Sequence, residues 1–153
     1  MSTSKQIPAA DSDEWAIGEG SIGGRPSMVR FRPRLAAFLG DPRYSRRLQA
    51  TWTYGDDKEL GMPDNEDSLA MARMEDSLVP AIEGSRVGTL AFVFTHGGAR
   101  EWHFYVSETA NLDSIINEAL ADSPGLPIEL LVADDPEWSE FAGLLQSVKT
   151  HDA

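Results

Sequence analysis

Three side chains able to do proton or metal chemistry cluster in the stretch "THGGAREWHFYV", residues 95–106: His96, Glu101 and His103. A carboxylate and an imidazole two positions apart on a strand share one face, so Glu101 and His103 can meet as an acid/base pair or as two metal ligands. A metal centre needs more convergent ligands and support behind them. His96 stands at the turn, several residues along the hairpin from His103, and His151 belongs to the C-terminal tail. No metal or other cofactor is therefore expected. Nothing beside the pair marks a nucleophile, since no serine sits in a nucleophile-elbow pattern and no phosphate loop is present.

Other stretches imitate functional motifs. "GEGSIGG" contains G-x-G-x-x-G at Gly18, Gly20 and Gly23, but the strand-like "RPSMVRF" follows it. The dinucleotide fingerprint needs a helix there, so these glycines make a hairpin turn. Asp134, Asp135 and Glu137 of "DDPEW" read as helix-capping and dipole-favouring charges. Seven arginines lie between residues 25 and 47 against one acid, Asp41. Arg30 and Arg32 share one side of a strand, with Val29 and Phe31 on the other. Interleaved aromatics are too few for a nucleic-acid platform, and the acidic remainder repels a polyanion. These arginines are expected to pair with the chain's own carboxylates or with an acidic partner.

The elements that position these residues follow from hydrophobic spacing. Short strands are expected near 14–18 and 26–32, and an apolar segment of one or two helical turns over 34–40. A half-buried strand covers 46–54, with Leu48, Ala50, Trp52 and Tyr54 on one face. A helix spans about 65–83 through Met71, Met74, Leu78 and Ile82, stops at Gly84, and should bend or end early at Pro80. Strands follow at 86–95 and 100–107, then a helix over "NLDSIINEAL" and a strand at 128–133. The last helix starts at Asp135 and Pro136 and buries Trp138, Phe141, Leu144 and Leu145. The succession strand, helix, strand, strand, helix, strand predicts an α+β fold, the ferredoxin-like split βαβ with two helices on one face of an antiparallel sheet. An N-terminal β-hairpin and a C-terminal helix complete a single domain over 14–148, preceded by a frayed tail over 1–13.

Parity constrains the hairpin. For Leu90, Phe92 and Phe94 to face the same core as Trp102, Phe104 and Val106, Phe94 must lie opposite Trp102. That demands an odd loop such as Gly97-Gly98-Ala99 with a bulge, rather than a two-residue turn. Glu101, His103 and Tyr105 then form an exposed sheet face beside Thr95, Val93 and Ala91. With Arg30 and Arg32 they make the candidate interaction surface.

The chain has 153 residues, no cysteine and a formal net charge of −12. From Asp56 onward twenty acids face five basic residues. Such a field speeds association with a basic protein and also keeps a small domain soluble. No apolar run approaches the ~20 residues that span a bilayer, and the N-terminus lacks a signal-peptide core. A cytoplasmic protein that does not enter the membrane is expected.

Four features together resemble the bacterial domain-of-unknown-function 695 family: Glu14-Trp15, "MEDSL" (74–78), "THGGAREWHFYV" and "DPEWSEFAGLL" (135–145). The resemblance covers about 14–147, and rests most on the Arg100-Glu101 hairpin and the Asp135-Pro136-Glu137-Trp138 helix start. Phe141 departs from the tyrosine that members often carry. The resemblance implies a ferredoxin-like architecture similar to the inhibitor called regulator of ribonuclease E activity B, and it brings no catalytic residues. It also implies that Trp102, Phe104 and Trp138 are core and that Arg100 and Glu101 tie the hairpin to a neighbour.

The function expected is non-catalytic protein–protein binding by an inhibitor, immunity protein or regulator, with a basic toxin or enzyme as partner. The alternative is a small hydrolase or metal-dependent enzyme using Glu101 and His103. A third, RNA binding through the arginine segment, predicts steep salt dependence.

Overall fold

The structure, a computed structural model, describes residues 14–55, 59–107, 111–123 and 125–152. The tail expected over 1–13 and the side chain of His151 lie outside the described residues. Among the described residues six strands form one sheet: β1 (Ala16–Ile22), β2 (Arg25–Phe31), β3 (Arg46–Thr53), β4 (Gly88–His96), β5 (Ala99–Val106) and β6 (Ile128–Asp134). They are accompanied by the α-helices α1 (Asn65–Gly84), α2 (Leu112–Ala119) and α3 (Ser139–Asp152), with 3₁₀ turns at Pro33–Phe38 and Pro42–Tyr44. Spatial order is β1-β2-β4-β5-β3-β6, and every neighbouring pair is antiparallel. Within it, β3 and β4 flank β5 and are joined by α1, while β6 returns to the outer side of β3. That is the ferredoxin-like α+β order expected of the split βαβ pattern. The N-terminal hairpin extends the sheet through β2 against β4.

The sheet is covered on both faces. On one, Leu48, Ala50, Trp52, Leu90, Val93, Trp102, Phe104 and Val106 pack against Met71, Met74, Leu78 and Ile82 of α1 and Ile116 of α2. The helical residues recur at three- and four-residue spacing, and each apolar side chain so buried stabilises by roughly 1.5–3 kcal/mol. On the other face Val29, Phe31, Ala91, Phe92 and Tyr105 meet Leu35, Tyr44, Trp138 and Phe141.

The hairpin reaches this arrangement by a route that parity alone misassigned. Gly97 and Gly98 take φ of 60° and 89° and close His96 onto Ala99, so the turn has two residues rather than three. Glycine meets the left-handed demand of both turn positions, which makes this tight connection accessible. The extra residue sits instead at Ala91, between the Leu90–Phe104 and Phe92–His103 pairs. A bulge reverses alternation beyond itself. Val93 therefore lies opposite Trp102, and Phe92 and Phe94 turn to the second face. The turn is also a docking point, because Gly98 N–H donates to Gly61 O at 2.9 Å and Tyr54 N–H donates to Gly98 O at 2.9 Å.

α1 spans the range expected of it without the break expected at Pro80, and the start of α3 differs from expectation. α1 begins with a reciprocal Asp64–Asp67 capping box and continues through Pro80 to Gly84. Pro80 neither ends it early nor separates Leu78 from Ile82 in the core. α3 begins at Ser139, three residues beyond Pro136, because Trp138 adopts φ 57° and interrupts the helix before it can start.

Gly88 has no room for a side chain: a Cβ there would lie 2.6 Å from Val106 Cγ1 and 2.7 Å from the Tyr105 carbonyl oxygen. Gly88→Ala is expected to destabilise by roughly 1–3 kcal/mol through overpacking, read as a lower urea midpoint at unchanged slope. Gly84→Ala, where a Cβ meets nothing, is the matched control and should stay at or above the parent stability.

Candidate functional site

Glu101, His103 and Tyr105 share one face of β5, across from Thr51, Gln49 and Arg47 of β3. Glu101 and His103 do converge: His103 Nε2 is 2.8 Å from Glu101 Oε1. His103 Nδ1 is 3.1 Å from Arg47 Nη1. A guanidinium only donates, so Nδ1 accepts and Nε2–H donates to the carboxylate. The imidazole stacks on Phe92 at 4.2 Å with planes 10° apart. Both nitrogens and one ring face are thus engaged inside the fold.

The hydrogen-bonded chain continues through Arg47, whose Nη1 donates to Gln49 Oε1 at 2.9 Å and whose Nε lies 3.5 Å from Asp135 Oδ2. Tyr105 O–H donates to Asp135 Oδ2 at 2.6 Å and accepts from Phe141 N–H at 3.3 Å. Asp135 also receives Ser139 N–H at 2.7 Å and Glu140 N–H at 3.3 Å, capping the first turn of α3 from four residues upstream. Trp138 closes the arrangement by stacking on Tyr105 at 4.1 Å and donating Nε1–H to Tyr44 O at 2.8 Å. Burial by itself would raise the Asp135 carboxyl pKa, but the Tyr105 hydroxyl, the two amides and the Arg47 charge outweigh it, and the net shift is downward. Burial, followed by the carboxylate of Asp135, pushes the Tyr105 phenol far above its usual value.

The exposed face expected of these residues is therefore covered. Tyr105 is 0% and His103 4% exposed, because α3 packs over Tyr105 while Phe92 and Arg47 cover His103. Glu101 alone of the three retains a partly open carboxylate. The bulge at Ala91 contributes, since it places the large rings of Phe92 and Phe94, rather than Val93 and Thr95, beside His103 and Glu101.

Arg30 and Arg32 point to the opposite face, as strand alternation requires, and both meet α1. Arg30 pairs with Glu75, which also accepts Trp102 Nε1–H at 2.8 Å. Arg32 is 4% exposed; its Nη1 reaches Glu83 Oε2 at 2.6 Å, Thr89 Oγ1 at 3.2 Å and Leu90 O at 3.1 Å. Both guanidinium groups lie over Trp15, at 5.1 and 4.6 Å from its centroid. Arg100 donates to Thr95 Oγ1 at 2.8 Å within the hairpin itself, while Glu101 turns to His103 on the other face. The Arg43–Asp41, Arg46–Asp134 and Arg34–Glu14 pairs complete the pattern of internal pairing. Arg30 and Arg32 thus brace α1 and are not an open cationic patch.

The strand expected at 128–133 is present as β6, and what the sequence reading missed is its exposed edge position. "IELLVAD" has apolar residues on both sides of the strand, a pattern that ordinarily marks a strand buried on both faces. Instead β6 is terminal in the sheet, and Leu130, Leu131 and Val132 are 45%, 55% and 42% exposed. The contradiction between an apolar run and an edge position is visible only once strand order is known. No group of three metal-capable side chains converges among the described residues. A cleft of about 470 Å³ lies between the β1–β2 hairpin and α3, and a second of about 590 Å³ between the Pro33–Phe38 turn and α3. Neither is lined by Glu101 or His103. No helix among the described residues is long and apolar enough to cross a membrane.

The family model of DUF695, a family of unknown function, matches residues 13–145, and the chain belongs to that family. No curated protein matches it.

Tyr105→Phe deletes the hydroxyl that both donates to Asp135 and accepts from Phe141. It is expected to lower stability by roughly 1.5–3 kcal/mol near neutral pH, as for a bond to a charged group. The Asp135 pKa is depressed in the folded state, so its stabilisation is complete above the unfolded value near 3.8 and fades as pH falls through the lower folded value. The phenol pKa is raised, so its stabilisation is complete below its unfolded value near 10.0 and fades as pH climbs past it. Urea midpoints across pH should show the parent losing stability above about pH 10 more steeply than Tyr105→Phe. Parallel alkaline limbs would refute the assignment.

Proposed function

We propose that this member of the DUF695 family works by binding a basic protein, as an inhibitor, immunity protein or regulator. One observation carries the reading: charge is segregated, and the arginines described above are committed to the fold. Arg30, Arg32, Arg43 and Arg47 pair with Glu75, Glu83, Asp41 and Asp135. From Glu101 to Val148 the chain carries ten acids and neither lysine nor arginine. A one-signed surface raises the encounter rate with a partner of opposite sign and disfavours nucleic acid. The proposed setting is the cytoplasm, which the lack of cysteine favours.

The 2.8 Å contact between Glu101 and His103 favours a second reading, general acid/base catalysis. It requires Nδ1 to be released from Arg47, because the other nitrogen is already bound to the carboxylate. Binding needs no such rearrangement and is the reading adopted.

Immobilised protein incubated with lysate of its source at low salt should retain a basic protein. After identification and purification, that protein should bind with an affinity that falls as salt rises from about 50 to 300 mM, as expected for screened opposite charges. Retention of no basic partner, or binding indifferent to salt, would end this reading.

A further inference from the structure

The outer edge of β6 is built to accept a strand. Asp135 N–H donates to Ser45 O at 2.9 Å, and Thr53 N–H donates to Pro127 O at 3.3 Å. These contacts fix the phase of the β3–β6 ladder, in which Glu129, Leu131 and Ala133 face Thr51, Gln49 and Arg47. Hydrogen-bonded pairs alternate along an antiparallel ladder. The residues in phase with Pro127 and Asp135, namely Glu129, Leu131 and Ala133, therefore direct N–H and C=O toward β3. Leu130, Val132 and Asp134 direct theirs outward, as does the Ile128 carbonyl, while the Ile128 N–H is taken by Leu126 O at 2.8 Å. No strand among the described residues lies beyond β6.

Soluble proteins usually blunt such an edge with lysine, proline, a bulge or a covering element. β6 contains no lysine, proline or glycine, and its pairing with β3 runs unbroken from Asp134 to Ile128. The opposite edge differs: β1 carries Gly18, Gly20 and Glu19, residues with poor strand propensity. The apolar triplet at Leu130, Leu131 and Val132 thus coincides with the better edge template.

Its surroundings select the occupant. Glu129 and Asp134 lie on the strand, Asp122 stands exposed before it, and Glu137 and Glu140 stand exposed after it. The cations of the adjoining strand, Arg46 and Arg47 on β3, are paired with Asp134 and Asp135. A second copy would bring the same carboxylates to the same edge, between chains that each carry a net charge of −12. An apolar strand flanked by lysine or arginine meets both the hydrogen-bonding edge and the charge.

From this geometry we infer that β6 is the docking edge, and that the partner adds an extended, basic, apolar strand to it by β-augmentation. The inference rests on the basic-partner reading and deepens it. The backbone of Leu130 and Val132 supplies the main-chain bonds, and their side chains, with that of Leu131, supply apolar contact on the two faces. The acids provide steering and select sign.

The probe is a short synthetic peptide alternating lysine and valine, with a lysine–glycine peptide of equal charge as control, titrated into the full chain at low salt. Backbone amide NMR should show shifts centred on Leu130 and Val132, and the valine peptide should bind roughly tenfold tighter than the control. Val132→Pro removes an outward N–H while sparing the β3 ladder, a position proline tolerates. It should weaken the valine peptide by roughly tenfold and leave the control unchanged. Leu130→Lys, which keeps the backbone but removes apolar contact and adds like charge, should weaken both peptides and the valine peptide more than the control. Ile17→Lys on β1 should have no effect. Equal binding of both peptides, or binding indifferent to Val132→Pro and Leu130→Lys, overturns edge docking while leaving the basic-partner reading standing. Absence of peptide binding overturns edge docking too, and the partner capture above then decides the wider reading independently. A concentration-dependent dimer in sedimentation that Leu130→Lys abolishes assigns the edge to a second copy and overturns the basic occupant.

Discussion

The single extra residue at Ala91 decides how this molecule is assembled. A two-residue turn fixes the pairing of His96 with Ala99, and without a bulge every residue of β4 would keep one phase against β5. The shift between Leu90 and Phe92 lets one strand serve two cores. Leu90 and Val93 pack toward α1, while Ala91 and Phe92 pack toward Trp138 and Phe141. A sheet with one apolar face would leave α3 nothing to cover. Because Phe92 is turned to the second face, α3 and the Pro33–Phe38 turn have a surface to bury.

The buried charges follow from the same geometry. A strand that faces two cores also carries its polar side chains inward, where an unpaired charge costs several kcal/mol. His103 meets Arg47 from β3, and Tyr105 arrives beneath α3 and meets Asp135 just before the helix. On the other face Arg32 enters beside Glu83, whose carboxylate also takes the Leu90 amide at 2.9 Å. Each network joins a strand to the helix lying over it. The network on the α3 side locates the residue at which α3 begins, and that on the other face anchors the last turn of α1.

Much of the architecture was legible in the sequence because it depends on local period. The alternation of Leu48, Ala50 and Trp52 and the helical spacing of Met71, Met74, Leu78 and Ile82 each name a face, and α1 and β3 lie where those faces place them. The pairing of arginines with the chain's own acids was also legible, from the contrast between the 25–47 segment and the rest. The Ala91 bulge was not, since an alternating run carries no mark of where alternation breaks. From that one miss followed the wrong face for Phe92 and Phe94, and the expectation that Glu101, His103 and Tyr105 lie open. The Trp138 conformation was hidden for a related reason: proline after aspartate fits a helix start, and only the stacking on Tyr105 shows why the chain delays it.

Chemical reactivity and placement separate cleanly here. His103 and Glu101 have the identities and the 2.8 Å spacing of an acid/base pair, yet the second nitrogen is held by Arg47 and the ring is covered by Phe92. A group whose bonding capacity is filled by its own fold has little left for a substrate. β6 is the reverse case: its side chains are chemically inert, but its outward amides and carbonyls have no strand beside them among the described residues. Unmet bonding capacity, rather than residue type, marks the surface with work left to do. That criterion favours the edge of β6 over the histidines, and with it the proposal of a protein that acts by binding another protein.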